Sequence, residues 1–222
     1  MFDINKMLKR KLKKEGNEMT IENEKRKEEL KEIKRLLINI DMVNGFVKEG
    51  ALASPSIQRI VPENVARVRE FINSKEGAVA FIRDAHTKNA VEFNTFAPHC
   101  LKGSLESELV DELRIYERFA LTYLKNSTNF VFAPGFINDI TAMENLKEVV
   151  LNGCLTDFCV KNGGITLRDY FDQNDRNVKI YVEEVGVDTF DAPGHNREEV
   201  NEQSLKDMEA NGIIRVKKYL CK

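Results

Sequence analysis

Residues 146–160 read LKEVVLNGCLTDFCV. Val149, Val150 and Leu151 form a short apolar run, which predicts a fully buried parallel strand. Gly153 is expected to break that strand, and Thr156 and Asp157 both suit a helix N-cap. The following VKNGGITLRDYF reads as a helix weakened by its glycines. Cys159 is therefore predicted in the first turn of a helix that begins where a buried strand ends. Unpaired backbone N–H groups and the positive end of the helix dipole favour a thiolate there. An arbitrary cysteine is more often an inert buried residue. This one stands apart because three other reactive stretches also follow predicted strands, and in an open parallel sheet such ends converge on one crevice.

Working outward, the first of those strands is Leu36 to Ile40, LLINI, followed at once by Asp41. An acid at the carboxyl end of a buried strand is costly unless paired or useful. Gly45, Gly50, Pro55 and Pro62 then lead to a predicted helix from Glu63 to Ser74. Val65, Val68, Phe71 and Ile72 share one face of it, with Pro62 just inside its start and Gly77 just past its end. The second strand, Ala78 to Ile82, runs into RDAHTKNAVEFNTFAPHC, which holds two of the three histidines of the chain. Asp84, His86 and His99, with Glu92 between them, form a common ligand set for a divalent Zn, Fe or Mn ion with open positions. A polar loop with incidental histidines is the plainer alternative, and the local concentration of His favours the metal.

A third strand is expected at Leu121 to Lys125. Most lysines are solvated, but Lys125 would lie at the crevice beside an acid. A helix from Asn138 to Asn145, opened by Asn138 or Asp139, precedes the fourth strand. The fifth strand is Val178 to Val182, followed by a loop, EEVGVDTFDAPGHN. His195 in its Pro-Gly turn reads as a structural turn residue rather than a catalyst. A helix from Glu198 to Glu209, Gly212 and a sixth strand from Ile213 to Val216 complete the pattern. Strands alternating with helices predict a single-domain α/β/α sandwich around a mainly parallel six-stranded sheet over residues 35–222. Residues 1–34, rich in Lys, Glu, Asn and Arg, read as a charged helical extension with a solvated face.

Composition narrows the class. With 222 residues, 32% charged, 42% hydrophobic and a net charge of −2, the chain suits one soluble α/β domain and gives no reason to expect nucleic acid as a partner. No apolar run is long enough to span a membrane, and the basic N-terminus lacks the apolar core of a secretory signal. A cytoplasmic protein with reduced thiols is expected, since Cys100, Cys154, Cys159 and Cys221 show no paired metal-site spacing.

Taken together, IDMVNGF at the first strand, RDAH and APHC after the second, Lys125 after the third and GCLTDFCV at the fourth resemble the isochorismatase-like cysteine hydrolases. The match is nearest to their nicotinamidase and pyrazinamidase branch and covers Leu36 to Val216. The resemblance implies a catalytic triad of Asp41, Lys125 and Cys159. It implies one divalent metal ion on Asp84, His86 and His99, with Glu92 at a position that some nicotinamidases fill as a further ligand. It also implies a cis peptide between Cys154 and Leu155. There are departures: NSTNF after Lys125 is shorter than usual, and Phe96 stands where nicotinamidases often carry Trp. Phe46 and Phe96 are the expected walls of a substrate pocket.

The implied chemistry is amide hydrolysis through a thioester on Cys159, with Asp41 as general base and then acid. Lys125 would orient Asp41, and the backbone N–H groups of Leu155 and Cys159 would form the oxyanion hole. The partner is then a small-molecule amide, and homo-oligomerisation stays open. Two rivals remain at this stage. One is another hydrolase of the superfamily acting on a carbamoyl or vinyl-ether substrate, with or without metal. The other is a non-catalytic binding protein, which would be expected to lose one of the three triad residues; none is lost.

Overall fold

The central strand, β1 (Arg35–Ile40), is flanked on one side by β2 (Gly77–Asp84) and β3 (Leu121–Lys125). On the other side lie β4 (Glu148–Cys154), β5 (Lys179–Asp188) and β6 (Ile214–Val216), and every neighbouring pair is parallel. This arrangement is seen in a computed structural model that describes residues 24–220. Strand alternation sends Leu36, Ile38 and Ile40 into one apolar layer and Leu37 into the other. The first layer is closed by α2 (Phe136–Ala142), α3 (Lys161–Gln173) and α4 (Arg197–Ala210) through Phe136, Ile140, Leu167, Phe171, Leu205 and Met208. The second is closed mainly by α1 (Pro55–Ile72) through Ile57, Ile60, Val68 and Phe71. The expected doubly wound α/β/α sandwich is the fold observed.

Several boundaries differ from the sequence reading, each for a tertiary reason. α1 begins at Pro55, eight residues before the expected Glu63, so Pro62 lies inside the helix rather than at its start. Pro62 faces solvent, as does Gln58 one turn earlier, where water can satisfy the carbonyl that the proline leaves unbonded. α2 opens at Phe136 behind a left-handed Gly135, not at Asn138 or Asp139. Gly153 does not end β4: the strand continues to Cys154, and the register to β5 shifts between Leu151 and Gly153. Its φ of +106° and its approach to Ile40 leave no room for a side chain, since a Cβ would fall 2.0 Å from the Ile40 carbonyl oxygen. β5 runs on to Asp188, six residues past the expected Val182, because its second half pairs with the end of β4.

Of the N-terminal extension, residues 1–23 lie outside the described part. Residues 24–31 are helical and mostly exposed, as expected, but Leu30 is buried in the first apolar layer. Arg26 reaches Asp139 at 2.5 Å, so this helix is docked on the domain. No helix among the described residues is long and apolar enough to cross a membrane.

Candidate active site

β1 and β4 are neighbours, but the chain leaves β1 toward one edge of the sheet and β4 toward the other. Their carboxyl ends therefore open a crevice between diverging connections. Asp41 leaves β1 there in a left-handed conformation, φ 54°, with its N–H held by the Ile82 carbonyl. A short polar side chain tolerates this conformation better than most, and such strain clusters at functional sites. Lys125, the last residue of β3, crosses beneath β2 so that its Nζ lies 2.8 Å from Asp41 Oδ2, 2.5 Å from Asp84 Oδ1 and 3.4 Å from Cys159 Sγ. The three residues expected as a triad are thus in contact, and all three are buried.

Burial sets the resting charges. It would lower Lys125, but the charges of Asp41 and Asp84 outweigh it and hold the ammonium well above its ordinary range. Asp41 is pushed up to about 7, first by desolvation and then by the charge of Asp84, with Lys125 pulling the other way. Cys159 is raised well above the usual thiol range by burial, against Lys125 and with Asp41 and Asp84 adding to the rise. The thiolate expected from the helix terminus is therefore not the favoured resting form. Cys159 lies in a single π-helical turn, Thr156–Val160, ahead of α3.

Asp84 also faces His86 and His99, whose Nε2 atoms lie 3.3 Å from its Oδ1 and 3.7 Å from its Oδ2. The ligating atoms of these three buried residues all fall within 4.8 Å of one another. Asp84 is held well below the carboxylate range: desolvation opposes this, and Lys125 and the two imidazoles overcome it. The set fits a divalent cation. His86 Nδ1 meets Asn126 Oδ1 at 3.2 Å and His99 Nδ1 meets the Ala97 carbonyl at 2.8 Å, which turns both Nε2 lone pairs inward. His86 Nε2 is buried with no hydrogen-bond partner among the described residues. Glu92 stands at the rim, its Oε1 3.9 Å from His86 Nε2 and 4.0 Å from His99 Nε2, within reach of a water-bridged contact.

A pocket of about 290 Å³ opens onto Cys159, Asp84 and His99. Phe46 and Phe96 both line it, as expected, Phe46 against the His99 ring at 5.5 Å and Phe96 edge-on to Phe158. The Cys154–Leu155 peptide is cis. Among the described residues the Leu155 N–H finds no acceptor, so it is available beside Cys159.

Neither Thr156 nor Asp157 caps the turn. Asp157 instead accepts from Thr189 Oγ1 at 2.5 Å and from His195 Nε2 at 2.9 Å. Phe190, which the sequence reading passed over, lines the pocket and stacks on His195. The signal was the alternation that continues β5 through Val185 and Val187, which puts residues 189–191 at the crevice.

The sequence profile of the isochorismatase domain matches residues 35–213. The chain belongs to the isochorismatase-domain family. Within that family it stands near the nicotinamidases: it is 30% identical to nicotinamidase 1 of Arabidopsis thaliana over 181 residues, covering 72% of this chain and 71% of that one. A second Arabidopsis relative, 25% identical over 56% of this chain and 68% of its own length, is called a "probable inactive nicotinamidase". Among solved structures, the nicotinamidase of Bacillus subtilis superposes with a TM-score of 0.71 at 23% identity over 83% of this chain and all of that one. The pyrazinamidase of Pyrococcus horikoshii in complex with zinc does so at 0.67, also with 23% identity, over 84% and 99%. These two structural likenesses bear on the fold alone.

Proposed function

We propose that this isochorismatase-domain protein is a metal-assisted cysteine amidohydrolase that releases ammonia from nicotinamide or a similar small, neutral carboxamide. The observation that carries the reading is the contact of Lys125 with Asp41, Asp84 and Cys159 at once, beneath a mostly apolar pocket that Asp84 and Cys159 line. One relative is named a probable inactive nicotinamidase, and the presence of all three triad residues in contact argues for catalysis here.

Asp41 Oδ1 has no hydrogen-bond partner among the described residues, so a lone pair is free to take the Cys159 proton as Sγ attacks the amide carbonyl. A base titrating near 7 both holds a useful anionic fraction and accepts a proton readily. Lys125 keeps its proton throughout and neutralises the charge that builds on sulfur. The N–H groups of Leu155 and Cys159 are the donors for the oxyanion, worth roughly 3 kcal/mol each in known cases. Asp41 then returns its proton to the departing ammonia, and water cleaves the Cys159 thioester to give the acid. Asp84, His86 and His99 would hold the divalent ion, which supplies a Lewis-acidic site for a substrate ring nitrogen or for water. The zinc of the related pyrazinamidase makes zinc the first ion to test.

The pocket wall also bears on substrate charge. Its ionisable residues are Asp84, Glu92, Asp191, His99 and Cys159, with neither Lys nor Arg. A substrate carboxylate, as in a carbamoyl amino acid, would meet no cation on the protein wall, whereas a neutral ring carboxamide meets apolar surface. Ammonia release from nicotinamide, pyrazinamide, benzamide and an N-carbamoyl amino acid tests the reading. Turnover of the pyridine and pyrazine amides is expected. Turnover of the carbamoyl compound alone, or of none by the zinc-loaded protein, would overturn it.

A further inference from the structure

We infer that His195, through Asp157, clamps the loop after β5 against the nucleophile turn and thereby positions Phe190 as a wall of the substrate pocket, making His195 a positioning residue for substrate binding. The inference rests on the pocket being the amidase site proposed above.

The loop from Thr189 to Asn196 is built to be rigid. Ala192 and His195 exchange two backbone hydrogen bonds, at 3.1 and 2.9 Å, around Pro193 and Gly194. Proline second and a glycine of φ +78° third are what a type II turn demands. The turn returns the His195 ring onto Phe190, with the rings stacked 4.0 Å apart and 5° from parallel. His195 Nδ1 lies 3.1 Å from the Phe190 carbonyl, so the ring that gives Nε2 to Asp157 packs against both the backbone and the side chain of the pocket residue.

What ties this unit to the catalytic centre is one carboxylate. Asp157, two residues before Cys159, takes His195 Nε2 on Oδ2 and the Thr189 hydroxyl on Oδ1. The Thr189 carbonyl in turn accepts from Ser56 Oγ at 2.7 Å, next to Ser54 and Pro55, which also line the pocket. Three walls drawn from distant parts of the chain are thus fixed to one another. His195 does not line the pocket, and the side-chain partners of Asp157 are Thr189 and His195 rather than a triad residue. Loss of the clamp should therefore weaken substrate binding while sparing the chemical step, which raises KM with kcat little changed.

Steady-state kinetics on nicotinamide test this with His195→Ala, His195→Gln and Phe190→Ala. His195→Ala is expected to raise KM about tenfold, as for the loss of one hydrogen bond to a charged group, and Phe190→Ala by about the same factor through the apolar wall it removes. Their kcat should stay within about twofold of the parent. Gln places an amide N–H where Nε2 stood, so His195→Gln should recover most of the loss. A second measurement needs no turnover. The chain contains no Trp, so Phe190→Trp installs a single tryptophan, excited selectively at the red edge where the tyrosines do not absorb, and adding His195→Ala should raise its quenching by acrylamide several-fold. Unchanged KM and unchanged quenching would overturn the inference, as would a fall in kcat with KM intact. If the parent turns over no amide, the proposed function has failed, and the quenching comparison still decides the clamp. If His195→Ala does not fold, Thr189→Val, which removes one bond to Asp157, carries the same two measurements.

Discussion

The Asp84 carboxylate lies 2.5 Å from the Lys125 ammonium while its two oxygens face the imidazoles of His86 and His99. One buried acid therefore belongs both to the proposed ion site and to the charge balance of the triad. Removing it leaves Lys125 with Asp41 as its remaining carboxylate partner and takes one of three ligands from the ion.

His86→Ala should abolish stoichiometric binding of the divalent ion and most amidase activity. Asn126→Ala touches no ion but frees His86 Nδ1, and should weaken metal affinity by about 10–100-fold. Metal titration followed by elemental analysis of the dialysed protein reads both. Equal ion content in the parent and His86→Ala would refute the assignment of the site.

Cys159 should be alkylated by iodoacetamide well before Cys100 or Cys154. All three thiols are raised by burial, but among them Cys159 alone lines the pocket. Peptide mass mapping over a time course checks the order. Cys159→Ala should fold and release no ammonia; near-normal turnover by that variant would sink the mechanism.

The acid limb of kcat/KM should lie far above the ordinary carboxyl range. Asp41 must be ionised to act as a base, and its folded value is raised to about 7, so activity is lost as pH falls through that value. The two causes of the rise are desolvation and the charge of Asp84. A cation on Asp84 cancels the second, so the metal-loaded protein should show its limb on the acid side of 7 yet above 4. A limb at or below the ordinary carboxylate value of 3.8 would show that Asp41 is not the titrating base.

Gly153→Ala should destabilise the domain by about 3 kcal/mol or more, through positive φ combined with a collision against the Ile40 backbone. Thermal unfolding measures this. A melting temperature within a degree of the parent would show that β1 and β4 can separate at no cost.

The sequence by itself determined the order of strands and helices and the chemistry at their ends. Apolar runs such as LLINI and VVL are local signals of buried strands, and Asp41, Asp84, Lys125 and Cys159 each follow or end one. The resemblance then supplied roles for residues that local pattern could only flag. Other features were decided in the folded chain because their causes lie far apart in sequence. Asp157 looked like a helix cap, the role its type favours locally, but its partners Thr189 and His195 are 32 and 38 residues away. β5 outran its apolar run because β4 was there to pair with its second half. Cys159 looked like an activated thiolate at a helix end, yet its thiol is raised by desolvation, against Lys125 from β3 and with two carboxylates brought from β1 and β2 adding to the rise. Periodicity and end signals are properties of neighbouring residues, whereas burial, charge pairing and hydrogen-bond partners are properties of the packed sheet.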